Sequence, residues 1–338
     1  MACGLGLIAV GAGGIKPCVS AHVGDQFGAS NQALLPKVFG WFYFSINVGA
    51  TVSMLLTPII LRATVDEFGG AIAFGIPGVL MFVATLMFWV GRKHFIHVPP
   101  RREHFFSETF SKEGGRALTS LLPVFLLTSI FFSCFDQTAS KWVSQAKKMD
   151  GEAWGITILP DQMQSLNPIL VLCFIPLFTY GFYPLLHKVF GLTPLRKMGF
   201  GFFVTAGAFT CSALIEAELK SGNTLNILWQ VCPYILITAA EIMISITALE
   251  FAYSQSPKSS KSLVMAVYLS CIALGNAVTA ITNALITNED GTSLLPGPDY
   301  YWFFTGLVLL AGVLFIGVAK IYWGKSFLEA DLASETTT

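Results

Sequence analysis

A chain of 338 residues with zero formal net charge, 54% hydrophobic and only 12% charged residues, and a mean hydropathy of +0.66 is too apolar for a soluble domain of average make-up. Its basic residues are spread over loops, which leaves no footprint for nucleic acid. Seven cysteines, odd in number and nearly all in apolar stretches, form neither a disulfide framework nor a zinc spacing, and no GxxxxGK or HExxH motif supports ATP hydrolysis or zinc proteolysis.

A membrane crossing needs roughly 17 to 25 mostly apolar residues. On that measure the sequence predicts nine spans, near 3–22, 39–61, 71–91, 119–141, 166–187, 198–215, 228–252, 263–286 and 301–323, so the fold class is an all-α polytopic membrane protein.

The first span, within GLGLIAVGAGGIKPCVSA, carries Lys16. An ionisable group at mid-bilayer costs about 2.5 to 3.5 kcal/mol and normally faces protein or a watery cavity on a solute or proton path, although a lysine near a span end can instead snorkel to the interface. The second span places Tyr43 and Asn47 four residues apart, on one helix face, where they serve a ligand or an interhelical hydrogen bond. After the third span comes a basic connection, Arg92 to Arg116, that divides the spans three and six.

The fourth span bears Asp136 in CFDQTAS toward its outer part, either a proton-carrying or gating group or a wet interfacial carboxylate with Lys141 nearby. The fifth opens on Asn167, which precedes Pro168 and is therefore biased away from helix, as a residue capping the span would be. The sixth is followed by the acidic stretch Glu216 to Glu218. The seventh, ILWQVCPYILITAAEIMISITALEF, holds Glu241, which needs a bound cation, a proton or an internal ion pair. The eighth carries Tyr268, an aromatic for packing or for a side-chain pocket.

Prolines at 58, 77, 123, 168, 176 and 184 fall within or at the ends of spans, and the five histidines fall in or beside loops with no ligand spacing. One set of alternating loops and the tail carries fourteen Lys and Arg, the other set only four, which predicts a cytoplasmic C-terminus. With nine crossings the N-terminus would then lie outside. The opening MACGLGLIAV has no basic region or cleavage site to take it there, so the beginning of the chain is expected to be missing.

In order along the chain stand GAGGIKPCVSAHVGDQF, FYFSINVGA, FDQTASKWVSQA, SLNP and LEFAYSQSPKSSKS. Together they resemble the proton-dependent oligopeptide transporter family, the peptide and nitrate branch of the major facilitator superfamily, from Gly4 to about Tyr322. The resemblance implies an incomplete major facilitator fold that lacks its first three helices. Its parts would be a partial N-terminal bundle of three spans (1–91), a cytoplasmic linker (92–116), a C-terminal six-helix bundle (117–325) and a cytoplasmic tail (326–338). It further implies proton-coupled symport of di- and tripeptides by alternating access, with protons as the coupling ion and no other cofactor or metal. The lipid bilayer and short peptides would be the partners, and the plasma membrane the location.

By the same resemblance, substrate binding falls to Lys16, Tyr43, Asn47, Asn167, Glu241 and Tyr268, with Glu241 at the peptide's amino end and Lys16 at its carboxylate. Proton coupling and gating fall to Lys16 and Asp136. Two departures stand out: many relatives carry Trp where this chain has Phe132, and no ExxER-type cluster occurs anywhere in the sequence. The same scaffold also suits a non-transporting sensor or a carrier of nitrate or other organic anions.

Overall fold

A computed structural model of the chain describes residues 2–26, 35–63, 68–96, 112–255, 261–288 and 293–322. Most of the predicted linker 92–116, the tail 326–338 and the side chain of Tyr43 lie outside what is described. The chain divides into two compact units, Met1–Glu103 and His104–Thr338.

The first unit contains three long helices, α1 (Ala2–Asp25), α2 (Leu35–Ala63) and α3 (Phe68–Gly91), followed by a 3-10 turn, Arg92–His94. In α3 nearly every described side chain is apolar and exposed, Ala73 being the buried exception. A helix that is hydrophobic all round belongs among lipids or other helices. The far end of α1 is tied to the segment after α3: Gln26 Nε2 donates to the Ile96 carbonyl at 3.2 Å and Gln26 Oε1 accepts from the Ile96 amide at 2.9 Å. Beside them the His22 ring meets Phe88 and Phe95 edge-on, at 5.4 and 5.0 Å.

The second unit begins with α4 (Lys112–Phe135), a 3-10 turn (Asp136–Ala139) and the short α5 (Lys141–Ala146). A two-stranded hairpin follows, β1 (Glu152–Ala153) paired antiparallel with β2 (Ile156–Thr157). Its turn residues Trp154 and Gly155 both have positive φ, 51° and 76°, as a tight two-residue hairpin of this hand requires.

Next come α6 (Leu166–Leu177), a π-turn (Phe178–Phe182) and α7 (Tyr183–Phe190), then the unbroken α8 (Pro194–Lys220). The chain continues through α9 (Val231–Glu241), a second π-turn (Ile242–Ile246) and α10 (Thr247–Ser254), and ends with α11 (Lys261–Ile286) and α12 (Pro298–Ile321).

Eight helical stretches among the described residues are long and apolar enough to cross a membrane. The predicted span 3–22 is helical throughout, within α1. Two predicted single spans, 166–187 and 228–252, are each broken by a π-turn. The first break lies just past Pro176, whose missing amide disturbs the helical ladder. The second follows Glu241 directly.

The core of the second unit is built by α8 lying along α12 and α9 and by α4 lying along α11. Phe125, Phe131, Phe202, Phe209, Phe304 and Phe315 are fully buried there, with Trp142 and Tyr234 meeting edge-on at 5.0 Å. The helices approach closely where glycine permits it. A β-carbon on Gly275 of α11 would come 2.7 Å from the Ser133 amide nitrogen and 2.9 Å from Phe132 Cβ of α4. One on Gly201 of α8 would overlap Ile244 in the second π-turn.

The acidic stretch expected in a loop after the sixth span is helical, because α8 continues to Lys220 and buries Glu216 to 4% exposure. Burial is tolerated because the carboxylate is fully partnered: it accepts from Gln145 Nε2 at 3.0 Å and pairs with the Lys148 ammonium. Gln230 extends the network by donating to the Trp142 carbonyl at 2.9 Å and to Gln145 Oε1 at 3.2 Å. Lys148→Ala would leave a buried carboxylate with one neutral donor, and it is expected to cost about 1–2 kcal/mol. Lys147→Ala, on an exposed neighbour, should leave the melting midpoint unchanged; thermal unfolding of the two variants side by side is the check.

Candidate functional site

Four of the sequence-predicted site residues lie in the second unit. Glu241 is the last residue of α9 and Asn167 the second of α6, and the two helices pack together. Asn167 Nδ2 donates to Glu241 Oε2 at 2.7 Å and to the hydroxyl oxygen of Thr238 at 3.1 Å. Thr238 and Glu241 stand three residues apart on α9 and so present both acceptors to the same amide. The expectation that Asn167 caps its span is corrected here. A 3-10 turn, Pro160–Ser165, runs straight into α6, and Pro168 falls in the first turn of α6, where no intrahelical amide is needed. The amide is thereby free to reach across to α9.

Asp136 opens the 3-10 turn at the end of α4, with Asn276 of α11 beside it. It makes no ion pair among the described residues. Lys141, the cation expected to meet it, lies over the Tyr300 ring at 4.4 Å, a cation–π contact. Glu241 is within electrostatic range of both Asp136 and Tyr268, so these three groups share one region of the bundle.

Tyr268, buried to 3% exposure on α11, donates its hydroxyl to the Ser245 carbonyl at 2.9 Å and lies 3.2 Å from the Ser245 hydroxyl, inside the second π-turn. Its ring packs against Phe125 and Phe132, with centroids at 5.9 and 6.4 Å. Phe132 thus supplies aromatic packing here without an indole donor. Tyr268→Phe removes the link from α11 to the π-turn while keeping the ring; thermal melts should register a loss of about 1 kcal/mol.

The other three predicted residues lie in the first unit. Lys16 is exposed on α1 and has no ion-pair partner among the described residues. Asn47 is buried on α2, and its carbonyl accepts from the Thr51 hydroxyl at 2.8 Å. The helix α2 runs without a break through both Tyr43 and Asn47.

Sequence reading passed over Thr238, Ser245 and Asn276. Thr238 carried a signal, its three-residue spacing from Glu241, whereas Ser245 and Asn276 depend on tertiary placement. Among the described residues no cluster of three or more His, Cys, Asp or Glu side chains has the arrangement of a metal site.

Comparison with known proteins gives a consistent result. The chain is 38% identical over 254 residues to "Peptide transporter family 1" of Drosophila melanogaster, and 38% identical over 255 residues to "Solute carrier family 15 member 2" of Mus musculus. Each match takes in 64% of this chain, and the chain spans only about a third of the length of these relatives, 34% and 35%. Among solved structures, that of an auto-inhibited POT family peptide transporter superposes with a TM-score of 0.84 at 32% identity, covering 96% of this chain and 78% of the other. The POT family transporter PepTSo gives 0.79 at 33% identity, with coverages of 94% and 77%. The family model described as "POT family" matches residues 1–113 and 110–303, and the chain, an all-α polytopic membrane protein, belongs to that family.

Proposed function

We propose that this chain takes part in proton-coupled symport of di- and tripeptides by alternating access, with protons as the coupling ion and no other cofactor. The observation that carries the reading is the Asn167–Glu241 pair, an acceptor-rich carboxylate and amide held together by a 2.7 Å hydrogen bond within an apolar bundle. Such a pair suits an ammonium and would repel a bare anion, which favours peptides over nitrate. The relative in fly named a peptide transporter supports the same substrate class.

In this proposal Glu241 and Asn167 receive the peptide's amino end and Lys16 its carboxylate. Tyr43 and Asn47 meet the peptide backbone, and Tyr268 borders a side-chain pocket. Lys16 and Asp136 handle protons and gating. The 1–91 segment acts as a three-span partial bundle, joined by the 92–116 linker to the six-helix bundle 117–325. The protein works in the plasma membrane with its C-terminus in the cytoplasm, and it is not an enzyme.

The test is uptake of a labelled dipeptide into proteoliposomes holding the 338-residue chain, under an imposed proton gradient. Uptake that needs the gradient supports the reading. Dipeptide binding without gradient-driven flux would instead mark a sensor built on the same scaffold.

A further inference from the structure

We infer that Thr238 is a positioning residue for amino-group recognition, because it locks the orientation in which the Asn167 amide faces a ligand. This inference rests on the proposed peptide reading and deepens it at one subsite.

A carboxamide has two N–H donors and one acceptor oxygen, whereas an ionised carboxylate only accepts. Beside Glu241, the nitrogen edge of Asn167 must therefore face the carboxylate, as it does at 2.7 Å. That single bond leaves the amide free to swing about its terminal torsion, which is soft in asparagine. The second N–H, held at 3.1 Å by the Thr238 hydroxyl, removes that freedom. Thr238 is fully buried, so no bulk water stands ready to replace its oxygen.

With both donors committed, one acceptor remains on each partner: Asn167 Oδ1 and Glu241 Oε1. Among the described residues neither accepts a hydrogen bond, and neither is a sealed-in orphan atom. Two acceptors, one of them charged, suit a primary ammonium, which carries three donors and no acceptor. Thr238 touches no ligand in this scheme; it sets the orientation of the group that does.

The experiment measures equilibrium binding of alanyl-alanine and of its des-amino counterpart, propionyl-alanine, to the purified 338-residue chain and to two variants. The wild type is expected to prefer the amino compound. Thr238→Val, nearly identical in shape but without the acceptor, should weaken alanyl-alanine binding about three- to tenfold and leave propionyl-alanine unchanged. Thr238→Ser, which restores a hydroxyl, should restore the preference.

If Thr238→Val keeps the wild-type preference, the positioning role is overturned while the peptide reading stands. If it weakens both ligands equally, Thr238 is only a packing residue and the inference again fails. Should the wild type itself show no preference, the amino-end assignment of Glu241 and Asn167 falls, and this inference falls with it.

Discussion

Glu241→Gln is expected to reduce dipeptide binding by about ten- to a hundredfold, the loss that follows when a charge-assisted hydrogen bond of about 1.5–3 kcal/mol becomes a neutral one. The substitution is informative because it changes charge with little change in shape. A glutamine can still accept from Asn167, so the 2.7 Å link between α6 and α9 survives and the fold should melt as the wild type does. Binding loss with an unchanged melt would tie the carboxylate to the ligand. An unchanged affinity would show that the charge serves an internal purpose and would remove the main support for a zwitterionic substrate. Glu241→Asp is a useful companion, since it keeps the charge but withdraws it from Asn167 by one methylene.

Gly275→Ala should produce the largest stability loss of any single-methyl addition in the second unit. The new β-carbon would press on the Ser129 carbonyl oxygen and stand 2.7 Å from the Ser133 nitrogen, and both are backbone atoms that cannot turn aside. Relief requires α4 and α11 to move apart. That would break the 2.7 Å contact between the Ser133 and Thr279 hydroxyls and the 2.9 Å hydrogen bond from Thr279 to the Ser133 carbonyl. Overpacking of this kind costs about 1–3 kcal/mol, or a melting shift of roughly 3–10 °C in a domain of this size. Gly306→Ala on α12, where a β-carbon meets nothing within 4 Å, is the matched control and should melt with the wild type. A Gly275 variant as stable as that control would mean that the two helices are not in close contact in the protein.

Much of this architecture was legible in the residues because membrane spans announce themselves by composition. A run of apolar residues long enough to cross lipid has few alternatives to helix, since backbone groups must be satisfied within the segment. The same logic located Lys16, Asp136 and Glu241, charges where lipid tolerates few. Hydropathy is blind to what happens inside a span. It gave no sign of the π-turns at Phe178 and Ile242, which change hydrogen-bond register without changing polarity.

Hydropathy also ended the sixth span too early at Glu216, because a carboxylate counts as a loop residue until Gln145 and Lys148, about 70 positions away in the chain, are known to reach it. Asn167 was misread locally as a cap, whereas its amide reaches Glu241 and Thr238 on another helix. The rule that a residue before proline leaves the helix yields where the proline falls in the first turn. The amide's choice of Glu241 over its own helix end is a tertiary event that no window of neighbouring residues encodes.

The wide turn at Ile242–Ile246 has a consequence for how this gene can change. Loss of a single codon would convert it to ordinary helix and leave the faces on either side in place, but winding it as ordinary helix at its full length would rotate the half-helix beyond by about 100° relative to Glu241. Phe251, whose ring lies 5.2 Å from Tyr322, and Gln255, which accepts from the Tyr322 hydroxyl at 3.1 Å, would both turn away from the end of α12. A one-residue deletion within this stretch is therefore absorbed, whereas the same deletion elsewhere in α9 or α10 would turn every residue beyond it. Within this span, natural changes of length by one residue should therefore gather at these five residues.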